Sequence, residues 1–461
     1  MTDIVKINHK KLITMPADEA ITKDIVSQAL KLHLNLIEGY KENEDLYLSK
    51  HKILMQKNKE SYKPDNRIIL NYAKYIVDTF VGYQMGIPVK ITHEIDDVTN
   101  FVDNFRKFND MEDSEFELSK LADIFGHSFI YLYQDEDGNT CMTYESPLNM
   151  FIVHSDSVKE EPLFSVRYNK LANDSFVGEV ITKNERIEIT ANLIGDVTFK
   201  DEVTPHIYSD LPVIELIEND ERQGLFDSVK TLINALNKTV SEKANDVDYF
   251  ADAYLKITGV ELSEDVSQSI RSSRIINLYS NDGTSLNAEF LEKPNADVTQ
   301  ENLIALLIKS IFDISMIANL ANEDFGNSSG TALAFKLQPM SNLAKIKNRK
   351  MQSAFNRMYR IVFSVPKTSI NKDDWQGLNY KFTENMPRNI LEEAQIVKLL
   401  DGQVSEKTKL SVLSIVPNVK DEIKALEKEE EDSSTLANTL AERTRMDDKS
   451  LSDRVVNDEQ E

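Results

Sequence analysis

The chain has one cysteine, no long apolar run and fewer basic than acidic residues. Cys141 alone cannot form an intrachain disulfide, and a single cysteine excludes cysteine-rich zinc and iron–sulfur sites. No apolar run approaches the about 18 residues of a membrane-spanning helix, and residues 1–15 lack the apolar core of a secretory signal. We therefore expect a soluble intracellular protein without a membrane span or a membrane partner.

The charge balance argues against a protein that holds nucleic acid tightly. Lys and Arg number 53 against 77 Asp and Glu, which gives a formal net charge of −24. Nucleic-acid binders gain affinity by neutralising phosphates with Lys and Arg, which this balance opposes. The 461 residues are too many for one core, since one unit per about 150 residues predicts roughly three structural units.

Motifs for catalysis or metal binding are also lacking. The seven His residues are scattered without a His-Glu-x-x-His sequence, and neither a phosphate-binding loop nor a Gly-x-Ser-x-Gly turn occurs. The sequence Asp135-x-Asp137-x-Asn139 has the start of a calcium loop, but Gly138 is its fourth residue and not its sixth. A hairpin turn is the better interpretation there. We expect no enzyme activity, no cofactor and no metal.

Hydrophobic periodicity separates a mixed first half from a helical second half. Helical patterns and then short strand patterns predict an α+β domain over roughly 60–220. From Leu225 to Tyr254 nine apolar residues recur in eight steps over 29 residues, which predicts one helix to Thr258. A helix over 298–320 is apolar on nearly all sides and needs several neighbours. Another over 331–365 contains Pro339, which should kink it.

One segment reverses the sign of the charge. Between Phe335 and Arg360 there are seven basic residues and no acid, namely Lys336, Lys345, Lys347, Arg349, Lys350, Arg357 and Arg360. Two interpretations stay open. The segment could contact a polyanion or the acidic face of another subunit, or it could be a solvated helix face beside acidic loops of the same chain.

The segment Asn322-Glu-Asp-Phe-Gly-Asn-Ser-Ser-Gly-Thr-Ala-Leu333 resembles the most recognisable part of portal proteins of tailed bacteriophages, in the branch typified by siphoviruses of Gram-positive hosts. Further segments agree in the family's order: 66–78, Gly82-Tyr-Gln-Met-Gly-Ile-Pro-Val89, 126–135, 211–216, 241–246 and Phe250-Ala-Asp-Ala-Tyr254. The early element at 47–53 is only partly kept, with Ser49 where the family usually has glycine. The resemblance covers about residues 30–430.

The resemblance implies a portal fold of class α+β and assigns the segments. An N-terminal segment, 1–29, would precede an α/β wing at 30–223 with a return strand at 366–386. Two stem helices, 224–258 and 298–320, would flank a small clip at 259–297. A channel or tunnel loop at 321–330, a long kinked helix at 331–365 and a helical crown at 387–431 would follow, and 432–461 would be an acidic, disordered tail.

The resemblance also implies a function. Portal subunits form a ring of about twelve copies, a homododecamer, at one capsid vertex of the virion. Double-stranded DNA passes through the ring during packaging and ejection without sequence specificity. The implied partners are the terminase large subunit, the major capsid and scaffolding proteins during procapsid assembly in the host cytoplasm, and a head-completion adaptor.

The implied site residues are structural and not catalytic. The DNA-facing tunnel loop would comprise Asn322, Glu323, Asp324, Phe325, Gly326, Asn327, Ser328, Ser329 and Gly330. Terminase would dock on the clip at Glu261, Glu264, Asp265, Arg271 and Arg274. The basic helix from Lys336 to Arg360 would pair with acidic surfaces of adjacent subunits or lie near DNA. A wall without a surplus of cations lets a polyanion slide, because each neutralised phosphate adds affinity.

Two other functions compete with this one. An enzyme such as a nuclease or protease is disfavoured because the metal and nucleophile motifs are missing. A capsid or scaffolding protein that never touches DNA is disfavoured because scaffolds are usually short and helical, without a strand-rich wing or the segment 322–333.

Overall fold

The computed structural model describes residues 4–60, 63–192, 195–251, 255–258, 287–290, 297–321, 330–366, 370–386, 390–413, 415–416, 419 and 422–429. The chain divides into two compact units, Met1–Asn385 and Met386–Glu461. The predicted clip residues Glu261, Glu264, Asp265, Arg271 and Arg274 lie outside the described residues. Residues 322–329 of the tunnel loop and the acidic tail 432–461 also lie outside them.

Seven of the fourteen strands in the described part of the first unit belong to one sheet with the order β1-β2-β6-β7-β8-β9-β10. Strand β2 is parallel to β6, and the remaining neighbours are antiparallel. The strands are β1 Lys6–Ile7, β2 Ile13–Met15, β6 Met150–Ser155, β7 Pro162–Lys170, β8 Phe176–Ile181, β9 Glu185–Ala191 and β10 Val197–Pro205. The short strand patterns that the sequence predicts within 60–220 are confirmed in this sheet by β6 to β10. The short strands β1 and β2 carry too little pattern to be predicted.

Smaller sheets complete this unit. Strand β4 His127–Gln134 lies between β5 Thr140–Glu145 and β11 Val213–Ile217, and β3 Lys90–Thr92 pairs with β14 Asn379–Lys381. The predicted turn between β4 and β5 is confirmed, since Asp135 Oδ1 accepts the backbone N–H of Asn139 at 2.7 Å. The Asp135 carboxylate therefore closes the hairpin.

Helices cover the sheets. The first unit has α1 Lys23–Tyr47, α2 Tyr72–Met85, α3 Asp96–Phe108, α4 Met111–Phe125, α5 Lys230–Ala251, α6 Asp297–Ser315 and α7 Gly330–Phe363. The second unit has α8 Ile390–Leu399 and α9 Glu406–Val412. Gly126 ends α4 with a φ of +89°, and a Cβ there would lie 2.3 Å from the Arg222 carbonyl. Only glycine fits this junction between α4 and β4.

Two predicted helices are shorter than their periodicity indicated. The helix expected to continue to Thr258 ends at Ala251, and Leu255–Thr258 form β12, which pairs with β13 Asn287–Phe290. Local periodicity cannot register this partner strand, because the two strands are far apart in sequence. The helix expected over 298–320 ends at Ser315, since Met316 adopts a left-handed φ of 60°. Helix α7 fits its prediction closely and contains Pro339.

The second half of α7 lies in the main apolar core. Met351, Phe355 and Tyr359 are fully buried and share one cluster with Leu118 of α4 and Ile130 of β4. A separate core lies where α1 packs on the large sheet. The second half of α7 is therefore built into the first unit and does not lie on its surface.

The charge that fixes α7 in place is buried. Lys347 is 0% exposed, and its Nζ contacts the Asp123 carboxylate and lies 3.1 Å from Glu218 Oε2. The same ammonium donates to the Ser119 carbonyl at 3.0 Å. Since Asp123 and Ser119 belong to α4 and Glu218 follows β11, one side chain joins three elements. The expectation that Lys347 faces DNA or another subunit is therefore wrong, because its charge is satisfied inside its own subunit.

Burial and ion pairing oppose each other in setting the pKa values of Asp123 and Lys347. Burial raises the pKa of Asp123 well above its usual range, even though Lys347 opposes the shift. Burial would lower the pKa of Lys347, but the attraction of Asp123 and Glu218 outweighs burial and raises it.

A second buried network joins α1 to the strands. Arg222 donates to both oxygens of Glu215, from Nε at 2.7 Å and from Nη2 at 2.7 Å. His127 Nδ1 lies 2.6 Å from Glu215 Oε1, and its Nε2 lies 2.9 Å from the Tyr40 hydroxyl of α1. Burial opposes ionisation of Glu215, but Arg222 and His127 outweigh it and hold its pKa well below the usual range.

Two further histidines in this region are buried in the neutral form. Burial lowers the pKa of His33 to about 3 and that of His154 to about 4. The ring of His33 stacks on Phe151 at 4.4 Å, and its Nδ1 lies 3.0 Å from the Tyr168 hydroxyl. Protonation of either ring therefore puts a charge into a desolvated site, and at His154 the Glu215 carboxylate, 4.0 Å from Nε2, offsets this only in part.

We expect Lys347→Met to lower the free energy of unfolding by about 3–5 kcal/mol, because it leaves buried carboxylates without their cation. Denaturant titration measures this loss. The control is Lys350→Met, which removes a half-exposed pair with Asp220 and should cost less than about 1 kcal/mol. Adding Asp123→Asn and Glu218→Gln to Lys347→Met should restore much of the loss. Equal losses in both single variants would contradict the anchoring role.

We also expect stability to fall as the pH is lowered from about 6.5 towards 4. His33 and His154 have depressed pKa values in the folded state, so their contribution is present above the unfolded value and lost on acidification. Replacing His154 with Gln should reduce the slope by up to about 1.4 kcal/mol per pH unit, measured by denaturant titration at several pH values. An unchanged slope in His154→Gln would contradict the burial of its neutral form.

Candidate subunit interface and charged cleft

Helix α6 is only partly covered by its own subunit. It packs on α5 and on the turn Asp227–Val229. Phe312 is buried and meets the rings of Tyr72 and Tyr75 edge-on, at centroid distances of 5.4 and 5.6 Å. The opposite side is exposed and apolar, since Leu303 is 44%, Leu306 60% and Ile314 52% exposed, and Val298 at the start of the helix is 72% exposed. Helix α6 thus has one apolar face inside the subunit and another facing outward.

The exposed apolar surface continues onto the start of α7. Phe335 is 75% exposed and Ile346 is 51% exposed. A groove of about 880 Å³ lies between α6 and the first turns of α7, lined in part by Ile308, Phe312, Met316, Ile317, Lys336 and Pro339. We call α6 with residues 330–346 of α7 the outer apolar face. Exposed apolar surface of this extent is typical of interaction sites.

The other basic residues of α7 divide into two groups. Lys350 pairs with Asp220, and Arg357 and Arg360 both pair with Asp210. They pair with acids of the same chain, as the interpretation of a solvated helix face predicts, whereas the buried Lys347 fits neither interpretation. Lys336, Lys345 and Arg349 are exposed, and in the described part of the chain Lys345 and Arg349 form no ion pair. For these three, a role between subunits stays a prediction.

The pairs at the end of α7 surround a cleft of about 1080 Å³. Its walls come from β6 and the start of β7, from β11, from α7 and from residues 372–376. Asp210 accepts hydrogen bonds from Arg360 Nη2 at 2.8 Å and from Arg357 Nη2 at 3.3 Å, and Lys183 Nζ lies 4.0 Å away. One carboxylate is therefore shared by three cations.

Two polar atoms at this cleft have no partner among the described residues. They are Nε of Arg357 and Nδ1 of His154, and both are buried. Burial lowers the pKa of Arg357, and the nearby Asp210 only partly offsets this shift. The cleft therefore contains a desolvated guanidinium with hydrogen-bonding capacity to spare.

The sequence did not reveal these acidic partners. Asp123 and Glu218 lie far from Lys347 along the chain, and Asp210 lies far from Arg357 and Arg360. No local signal at Asp123, Asp210 or Glu218 distinguishes them from other acids. Of the predicted tunnel loop, Gly330 is described and opens α7. The other loop residues, Asn322 to Ser329, and the predicted docking residues of the clip lie outside the described residues.

The described ranges contain neither a metal-binding cluster nor a membrane-spanning helix. No group of three or more His, Cys, Asp or Glu side chains there could hold a metal ion. No helix of that part of the chain is long and apolar enough to cross a membrane.

Comparison with known proteins identifies the family of the chain. Residues 30–436 match the family model described as "Phage portal protein, SPP1 Gp6-like". A portal protein of Clostridium phage phiCD119 is 19% identical over 403 residues, which span 80% of this chain and 86% of that protein.

Among solved structures, the chain is similar to proteins of gene transfer agent particles. One is in the neck of an empty particle computed with C6 symmetry, with 10% identity, a TM-score of 0.48 and coverage of 74% of this chain and 89% of that chain. Another is in the virion of a native particle, with 9% identity, a TM-score of 0.48 and coverage of 81% and 92%. The family match rests on the sequence and spans most of the chain. This protein belongs to the SPP1 Gp6-like family of phage portal proteins, as the segment 322–333 predicted.

Proposed function

We propose that the protein is the subunit of a portal ring at one vertex of a phage capsid, and that double-stranded DNA passes through this ring during packaging and ejection. The observation that carries the proposal, beside the family, is the outer apolar face. Its exposed residues on α6 and α7 need a cover that the described part of the subunit does not supply. A neighbouring copy in a closed ring would supply it.

The energetics of the outer apolar face support assembly. Full burial of a large aliphatic side chain contributes about 1.5–3 kcal/mol, and Val298, Leu306 and Ile314 are each more than half exposed. In a ring this gain recurs at every interface. It opposes the repulsion between subunits of net charge −24.

The finer features of the role belong to the same proposal. The ring would contain about twelve copies, with the segment 321–330 narrowing its channel. Glu323 and Asp324 would present negative charge to DNA and so keep it from binding. The clip at 259–297 would dock the terminase large subunit and later a head-completion adaptor, and the ring would help nucleate the procapsid with the capsid and scaffolding proteins. The exposed Lys345 and Arg349 would pair with acids of the adjacent subunit.

We expect Leu306→Glu combined with Ile314→Glu to prevent ring formation, because each change places a charge in a desolvated contact. Electron microscopy and sedimentation of the purified protein measure the assembly, and circular dichroism checks that the subunit stays folded. Leu171→Glu is the matched control, since Leu171 is exposed in the turn between β7 and β8. Intact rings in the double variant would remove the main support for the proposed interface.

We expect deletion of 322–329 to leave ring formation intact but to impair DNA packaging or retention. The deletion lies outside the outer apolar face, so assembly and conduit functions separate. Packaging into procapsids, followed by measurement of nuclease-protected DNA, tests this. Unaltered packaging and retention would show that the segment has no role in the channel.

A further inference from the structure

The geometry points to a second binding site, in the cleft around Asp210, that takes an acidic peptide segment of a partner protein. The site is distinct from the outer apolar face and does not depend on ring formation. It lies between the β6–β7 region, β11 and the second half of α7.

The charges of the cleft leave a local surplus of cations. Arg357, Arg360 and Lys183 share the single carboxylate of Asp210, and Lys372 lines the cleft without an ion pair in the described part of the chain. Of the other acids that line the cleft, Asp373 alone has no ion pair among the described residues, so the four cations still outnumber the available carboxylates. Glu161 lies 3.6 Å from Lys159. Glu160 pairs with Lys10, and Glu215 is held by Arg222 and His127.

The unpartnered polar atoms of the cleft also indicate an acidic ligand. Arg357 Nε is buried without a partner among the described residues, so one edge of this guanidinium is free to bind a carboxylate oxygen. His154 is 7% exposed, lines the same cleft and has an unpartnered Nδ1. Buried polar atoms normally have partners, and a bound ligand would provide them.

The size and lining of the cleft favour a peptide over an inorganic anion. About 1080 Å³ is far more than one anion fills, and Ile152, Ile217 and Trp375 line it beside the cations. Such a mixture suits a segment that alternates acidic and apolar side chains. DNA is disfavoured, because a duplex with a charge at every about 1.7 Å presents no apolar side chains to Ile152, Ile217 and Trp375.

The full-length protein carries its own reporter for this site. Trp375 is the one tryptophan of the chain, and it lines the cleft, so the intrinsic tryptophan fluorescence reports on occupancy. We expect a saturable fluorescence change on titration with a hexaglutamate peptide and none with a hexaglutamine peptide. A change of equal size with both peptides would overturn the proposal.

Variants then test the individual residues, since some should weaken hexaglutamate binding and another should strengthen it. Arg357→Gln with Arg360→Gln should weaken hexaglutamate binding by about tenfold or more, which corresponds to about 1.4 kcal/mol or more. Asp210→Asn should strengthen it, because the internal carboxylate no longer competes for the three cations. Lys345→Gln with Arg349→Gln is the matched control on the same helix, outside the cleft, and should leave binding unchanged. If Asp210→Asn weakens binding, the proposal fails even where the arginine variants do not fold.

Two competing ligands and one test of protein concentration identify the occupant. Inorganic phosphate that binds as tightly as the peptide would reduce the cleft to an ion site, and a short DNA duplex that binds as tightly would make it a polyanion site. A fluorescence change that follows protein concentration without peptide would mean that a second copy of the chain fills the cleft. Each of these results overturns the proposal, whereas preference for the acidic peptide over all three supports it.

Discussion

The buried contact of Lys347 with Asp123 and Glu218 determines where the longest helix lies. Taking these charges out of water is costly, so a buried ion cluster fixes one arrangement more than it adds stability. Only one rotation of α7 places Nζ between the two carboxylates, because a shift by one residue turns a side chain by about 100°. The cluster thereby sets which side of α7 enters the core, which side borders α6 and which side lines the charged cleft.

Helix α7 therefore has two halves with different surroundings. Residues 330–346 include the exposed Phe335 and Ile346, whereas Met351 and Phe355 are fully buried. Lys347 lies at the change between them. Because the second half is held in a packed core, the first half is presented as a rigid edge. A rigid apolar edge loses little conformational entropy when a neighbour covers it, which favours association.

The sequence predicts features that repeat locally and misses those that depend on distant partners. The extent of α7 and the hairpin at Asp135 follow from periodicity and turn residues. Strand β12 does not, since Leu255–Thr258 pair with a distant strand after an uninterrupted helical pattern. The basic character of α7 was evident, but its partners were not. A helix of seven cations looks like a surface feature until Asp123, Glu218, Asp220 and Asp210 are seen beside it.

The pairing of those cations changes what the net charge means for assembly. Four of the seven pair with acids of their own subunit, two of them with the shared Asp210, so they are less available to pair with acids of a neighbouring subunit. Charges repel beyond contact only over about 8–10 Å in physiological salt, whereas apolar burial acts at contact and is not screened. In the proposed ring, faces like those of α6 and α7 would therefore have to hold the subunits together. The remaining exposed cations, Lys336, Lys345 and Arg349, would then select the alignment of neighbours more than supply the binding free energy.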